Sequence, residues 1–121
     1  MQVTIQDYGG HVEIYADGKR VGFINYAHGW HPDLGNNAHL PKGYIYSAYT
    51  TVGVRNMGIG SQAYRMFISL MKMKGEHVIA GIPETPRSLR FMKRLGFKKI
   101  SDEGPIPWNI YQTDNVYELR L

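Results

Sequence analysis

The sequence predicts an α+β domain in which a mixed, mostly antiparallel central sheet carries two helices. Three observations carry that prediction. The first half of the chain alternates apolar and polar residues with period two and is broken by glycine turns. Two later segments, after Gly60 and after Pro86, switch to the helical spacing of apolar residues. Between them, Val78 to Ile82 reads as a short buried strand, so strand, glycine loop, helix and strand succeed one another as a βαβ unit.

Taken in order, Val3 and Ile5 alternate with polar neighbours until Tyr8-Gly9-Gly10 breaks the run. Val12, Ile14 and Ala16 share one face of a second strand. Asp17-Gly18 is a two-residue hairpin signal, because both residues tolerate the positive φ of a type I′ turn. Val21, Phe23 and their neighbours to Tyr26 form the return strand. Residues 27–43, with His28, Trp30, His31, Asp33 and His39 among many turn formers, show no period. A loop of that length in a compact domain is unusual and often functional. Tyr44 to Val52 is a fourth strand, rich in β-branched and aromatic residues.

Ala63, Met66, Phe67, Leu70 and Met71 then follow an i, i+3, i+4, i+7, i+8 spacing, with Gln62, Arg65, Ser69 and Lys72 opposite them. Gly75 stops this helix. Thr85-Pro86 supplies an N-cap hydroxyl and a proline at the first helical position of the second helix. Leu89, Phe91, Met92 and Leu95 are its expected buried side, Gly96 its stop, and Phe97 a hydrophobic contact folded back over the end. Two terminal strands are expected, near Lys98 to Ser101 and Val116 to Leu121. The order is β-β-β-β-α-β-α-β-β, and residues 1–121 are read as one domain.

Composition narrows the function classes. Hydrophobic content of 43% with 20% charged residues is that of a globular chain. No apolar run approaches the roughly 18 residues of a membrane span. The start, Met1 to Gln6, lacks the basic and apolar blocks of a secretory signal, so the cytoplasm is the expected location. The absence of cysteine removes disulfides, thiolate metal sites and a cysteine nucleophile. A net charge of +4 suits nucleic acid, an acidic acceptor or a polyphosphate cofactor. The basic residues near 72–74, 87–94 and 98–99 are interleaved with apolar positions, however, which reads as solvated helix faces and disfavours nucleic acid. His28, His31, Asp33 and His39 fit no standard metal-ligand spacing, so no metal is expected.

The chemically informative segment is Val54-Arg55-Asn56-Met57-Gly58-Ile59-Gly60-Ser61, between a strand and a helix start. Helix N-termini present unpaired N–H groups at the positive end of the dipole, and two glycines let an anion approach the backbone closely. Pyrophosphate suits such a place. The three-glycine dinucleotide spacing and the Gly-Lys-Ser/Thr of a Walker loop are both missing.

Arg55-Asn56-Met57-Gly58-Ile59-Gly60 resembles the Arg/Gln-x-x-Gly-x-Gly/Ala signature of the GNAT acyl-CoA N-acyltransferase superfamily, at the position that family gives it. Ser88 to Phe97, ending in Leu95-Gly96-Phe97, is similar to the family's later helix. The resemblance implies acetyl transfer from acetyl-CoA to a primary amine. It implies that Arg55, Asn56, Met57, Gly58, Ile59, Gly60 and Ser61 bind the pyrophosphate. It also implies that the exposed backbone of Thr50, Thr51, Val52 and Val54, where the fourth and fifth strands splay apart, pairs with pantetheine and polarises the thioester carbonyl.

The chain departs from the family in three ways. Where many relatives carry a tyrosine that protonates the departing thiolate, this chain has Met92, which has no proton to give. Tyr49, Tyr64, Tyr111 or solvent are the alternatives. The general base is unassigned: Glu84 after the fifth strand, and His31 or His39 on the long loop, are the candidates, so Glu84, His31 and Tyr49 form the candidate catalytic set. Finally, only Asp7 to Gly10 joins the first two strands, where the family usually has two helices. An acceptor side left open in this way suits an amine on a protein, and a homodimer could close it. The competing reading is a catalytically degenerate domain that binds a protein partner or nucleic acid; retention of the glycine loop argues for the enzyme.

Overall fold

The computed structural model describes residues 2–28, 44–51, 58–99 and 116–121. Trp30, His31, Asp33, His39, Val52 to Met57, and Tyr111 lie outside these residues, and so do the expectations placed on them. The elements are β1 (Val3–Asp7), β2 (His11–Ala16), β3 (Lys19–His28), β4 (Tyr44–Thr51), α1 (Ile59–Met73), β5 (Val78–Gly81), α2 (Pro86–Leu95), β6 (Lys98–Lys99) and β7 (Tyr117–Arg120). This is the expected order. The strands form one seven-stranded sheet in the order β1-β2-β3-β4-β5-β7-β6. Every neighbouring pair is antiparallel except β4 and β5, which the α1 crossover makes parallel.

The hairpins follow from local chemistry. Asp17 and Gly18 hold φ of 50° and 82°, the doubly positive turn that matches strand twist. Between β1 and β2, Gly9 and Gly10 turn at φ of 76° and 102°, and the Gly9 amide donates to Asp7 Oδ1 at 2.9 Å. Cross-strand register then sorts the faces. Val12 and Ile14 lie on the same side as Ile24, Ile45 and Ile79, and α1 brings Ala63, Tyr64, Phe67 and Met71 down on them. Tyr64 meets Phe91 of α2 edge-on at 5.8 Å, so both helices share this face of the sheet.

The opposite face of β2 and β3 carries a polar lattice. His11 Nδ1 is 2.5 Å from Asn25 Oδ1 and its Nε2 is 2.8 Å from Glu13 Oε1, while Arg20 Nε donates to Glu13. The hydrogen bonds to Asn25 and then Glu13 raise the His11 pKa, and those from Arg20 and His11 lower that of Glu13.

Helix α1 is tied down at its far end. Lys74, just past its last turn, donates to Asp7 at the end of β1 and to Tyr26 Oη of β3 at 3.0 Å. Tyr26 in turn donates to Asp7 at 3.1 Å. Gly75 at φ 83° and the Glu76 amide, donating to the Met71 carbonyl at 3.0 Å, close the helix in a Schellman motif.

Helix α2 differs from expectation in depth. Leu89, Phe91, Met92 and Leu95 do pack against the core but remain half-buried. Arg87, Arg90, Lys93 and Arg94 must reach water from the same ten residues, which leaves only a narrow apolar stripe. Its ends are as expected: Gly96 at φ 100°, and Phe97, 4% exposed, donating its amide to the Met92 carbonyl at 3.0 Å.

Candidate active site

The parallel ladder between β4 and β5 runs Tyr44↔Val78, Ile45↔Ile79 and Tyr46↔Ala80 and then stops. β4 continues to Thr51, held from its other side by β3 through Ser47↔Tyr26, Tyr49↔Ile24 and Thr51↔Gly22. β5 ends at Gly81, two residues before Pro83, which has no N–H to offer a ladder. The two strands therefore part after Tyr46 and Ala80, and β4 runs on from Ser47 to Thr51 beyond its ladder with β5. This is the expected splay. The backbone of Thr50 and Thr51 lies on it; Val52 and Val54 lie outside the described residues.

On the helical side of the sheet, the start of the gap is narrow. A Cβ at Gly81 would lie 3.2 Å from Met92 Cε and 3.3 Å from the Ser47 carbonyl oxygen. The methionine thus reaches the point where the strands separate. Beside it, Ser47 Oγ and Tyr64 Oη are 2.5 Å apart, in residues 7% and 4% exposed. Sequence reasoning passed over Ser47, since a serine in a strand carries no signal until register places it one residue past the last rung.

Tyr49 sits higher. Its ring stacks on Phe91 at 5.1 Å and 6°, and its hydroxyl lies against Gly60, where a Cβ would be 1.9 Å from Oη. That puts the Tyr49 hydroxyl at the start of α1 and the Tyr64 hydroxyl at the splay. Glu84 is exposed on the connection between β5 and α2. Glu118, which no sequence pattern singles out, is 8% exposed on β7, directly opposite Ala80.

The start of α1 is built from Gly58 to Ser61. Gly58 occupies the N-cap position at φ 72° and ψ 1°, with no side-chain cap, and no acidic residue stands in the first turn. The first intrahelical bond is from the Gln62 amide to the Gly58 carbonyl at 3.1 Å. The amides of Ile59, Gly60 and Ser61 therefore have no helical carbonyl to meet, and the positive end of the dipole is not neutralised. A Cβ at Gly58 would find open space within 4 Å. An anion can approach this end, and the neighbouring strand β4 runs on past the point where its ladder with β5 stops. A phosphate-bearing molecule with an amide-containing arm fits both features together.

Residues 2–97 match the model of the acetyltransferase (GNAT) family. Among solved structures, a GNAT-family acetyltransferase from Staphylococcus aureus is similar over 92% of this chain and 66% of its own, at 16% identity and a TM-score of 0.67. A GNAT-family N-acetyltransferase from Escherichia coli, solved with CoA, is similar over 91% of this chain and 57% of its own, at 13% identity and a TM-score of 0.65. A ribosomal-protein-alanine N-acetyltransferase from Brucella melitensis is similar over 92% and 68%, at 15% identity and a TM-score of 0.64. The chain thus spans about two thirds or less of the first of these, and no curated protein matches it. No described helix is long and apolar enough to cross a membrane.

Proposed function

The chain belongs to the acetyltransferase (GNAT) family, and from that premise we propose that it transfers the acetyl group of acetyl-CoA to a primary amine. The observation that carries the reading is the pairing of an uncapped α1 start with the parting of β4 and β5. The amides of Ile59, Gly60 and Ser61, with Arg55 to Met57 before them, hold the pyrophosphate. The pantetheine arm pairs with β4 beyond its ladder with β5, and a β4 amide polarises the thioester carbonyl. The Ser47–Tyr64 hydroxyl pair stands nearest the sulfur in place of the acid that Met92 cannot supply.

The acceptor we propose is an amine on a protein. Asp7 passes to His11 through a tight turn, with no helices between β1 and β2 to roof the non-helical face. The similar structure named as a ribosomal-protein-alanine N-acetyltransferase is consistent with such an acceptor. The site acts in the cytoplasm, where acetyl-CoA and such amines meet.

The test is calorimetry with acetyl-CoA on wild type, Gly58→Asn and Gly58→Asp. Asparagine tolerates the left-handed conformation that Gly58 holds, and aspartate has nearly the same shape with a negative charge. Wild type should bind, Asn should bind within about 10-fold of it, and Asp should lose roughly 100-fold or more, about 2.7 kcal/mol. Absence of acetyl-CoA binding by wild type overturns the enzyme reading in favour of a degenerate partner-binding domain.

A further inference from the structure

Helices α1 and α2 share one face of the sheet, and between them they hold Arg65, Lys72, Arg87, Arg90, Lys93 and Arg94 with no aspartate or glutamate. The whole chain has a net charge of +4, so these two helices carry more positive charge than the molecule as a whole, and the remainder is net acidic. Most of these cations are on α2. With 3.6 residues per turn, Arg87, Arg90, Lys93 and Arg94 fall within one arc of about 120°, and all four are exposed. Leu89, Phe91, Met92 and Leu95 occupy the opposite arc and pack on the core.

Local helix chemistry explains only part of this row. Lys93 and Arg94 stand in the last turn, where cations offset the negative end of the dipole. Arg87 stands in the first turn, against the dipole. Arg90 lies three residues from Arg87, three from Lys93 and four from Arg94, the spacings at which like charges on a helix repel. Elsewhere the chain matches its charges, Arg20 with Glu13, Lys74 with Asp7 and Arg120 with Glu118. Arg90, Lys93 and Arg94 form no ion pair with a described residue. A single-sign row that repels itself is relieved by an anion brought from outside.

We propose that the outer face of α2, led by Arg90, Lys93 and Arg94, docks an acidic segment of a protein partner. Guanidinium groups hold carboxylates by two parallel hydrogen bonds, and carboxylates at alternate positions of an extended segment recur every ~6.6 Å, close to the ~6 Å between side chains one helical turn apart. The chemistry of the face disfavours other anions. The exposed large hydrophobic side chains among the described residues are Tyr8, Met66 and Met73, so α2 presents no ring on which the bases of a single strand stack. Its apolar stripe is committed to the core, which leaves no side to enter a lipid surface. The inference goes beyond the proposed function and does not depend on it, since the row lies on the helical side of the sheet and the acceptor is proposed to use the other.

The experiment follows the fluorescence anisotropy of a labelled peptide of roughly a dozen residues, alternating glutamate and serine, long enough to run the roughly 15 Å of α2. The same peptide with glutamine for glutamate is the uncharged control. Wild type should bind the glutamate peptide and not the glutamine one, and added salt should weaken the complex. The triple variant Arg90→Gln, Lys93→Gln, Arg94→Gln keeps helix propensity and should lose about 10-fold in affinity, as three exposed ion pairs would. A second triple variant, Lys19→Gln, Arg65→Gln, Lys72→Gln, removes as much exposed charge elsewhere and should stay within about 3-fold of wild type. Equal losses in the two variants, or equal binding of the two peptides, overturn the proposal. Displacement of the glutamate peptide by a short RNA duplex or by phosphatidylserine vesicles at a lower concentration of charge also overturns it, in favour of nucleic acid or membrane. Acetyl-CoA affinity of the first variant should match wild type; a loss as large as the peptide's would give the row to the donor's phosphates instead. A wild type that docks the glutamate peptide by this row but binds no acetyl-CoA supports the inference, and is the separate failure of the proposed function.

Discussion

Helix α2 begins on Thr85, whose hydroxyl accepts from the Ser88 amide at 3.0 Å while Ser88 Oγ accepts from the Thr85 amide at 3.1 Å. Helix α1 begins on Gly58, which has no side chain to offer and stands in the left-handed region. One chain has thus closed the start of its shorter helix with a reciprocal capping box and left the start of the longer one bare. The bare start is next to the splayed strands; the closed one is not the end to which the glycine loop leads. The contrast separates two uses of the same physics. Orphan amides satisfied within the chain stabilise the fold, and orphan amides left open are available to a ligand's oxygens. The Gly58→Asp experiment attacks the open start, and the largest effect is expected there, on binding and not on stability.

The next largest effect tests what keeps that start in place. Gly60 carries the Tyr49 hydroxyl where a Cβ would go, so Gly60→Ala must displace a ring that is stacked on Phe91. A loss of about 1–3 kcal/mol is expected, reduced somewhat by the better helix propensity of alanine. Tyr49→Phe removes the atom at 1.9 Å but leaves Cζ at 3.1 Å, so it should relieve part of the strain. Denaturant unfolding of the two single variants and the double variant should show a coupling of about 0.5–2 kcal/mol. Strict additivity would mean that the Tyr49 ring does not pack on the α1 start.

How much of this was legible beforehand follows from what each feature depends on. The Asp17-Gly18 hairpin, the Thr85-Pro86 cap and the two glycine helix stops are local, and local chemistry decided them correctly. The glycine loop is legible as a pattern because the function proposed for it lies in backbone amides at one place in the chain. Ser47 and Glu118 were not legible, because their meaning comes from register. Glu118 is seen as a buried carboxylate opposite Ala80 only when β7 inserts between β5 and β6, a non-sequential neighbour that periodicity cannot foresee. The depth of α2 was misjudged for a related reason: an apolar stripe predicts which side faces inward, and the exposed basic residues around it determine how far inward it goes.

The opposite end of α1 offers the third comparison, since Lys74, Asp7 and Tyr26 anchor it while the start stays open. Burial pushes the Asp7 carboxyl up, but the hydrogen bond from Lys74, with those from the Gly9 amide and Tyr26, outweighs it and holds the group below the usual range. The hydrogen bonds that Lys74 gives to Asp7 and then to Tyr26 raise its own pKa. The signs set the pH window. The Asp7 contribution is complete above about pH 3.9 and disappears as pH falls through its lowered folded value; the Lys74 contribution is complete below about pH 10.4 and disappears as pH rises through its raised one. Asp7→Asn should cost about 1–2 kcal/mol near neutrality, the lower part of the charged hydrogen-bond range because the Lys74 side chain is 39% exposed. The gap to wild type in urea midpoints should shrink in acid. A gap that stays constant to pH 2 would show that the carboxylate charge is not what anchors the helix.

The smallest effect concerns the closed start. Thr85→Ala removes the oxygen that accepts from the Ser88 amide and leaves the Ser88 hydroxyl without its 2.7 Å partner. A cap of this kind contributes about 1 kcal/mol, and Pro86 at the first helical position retains its share of the helix start because its ring fixes φ independently of the cap. The expected result is a Tm lowered by several degrees, since about 1 kcal/mol moves a domain of this size by roughly 3–6 °C. Acetyl-CoA affinity should stay within about two-fold of wild type, because the lost interaction is internal to α2 and the amides proposed to hold phosphate belong to α1. The informative outcome is the ratio of the two effects. Gly58→Asp should be large in binding and small in stability, and Thr85→Ala the reverse. If Thr85→Ala weakened acetyl-CoA as much as Gly58→Asp, the two helix starts would belong to one ligand-coupled unit, and a division between a structural and a binding terminus could not stand.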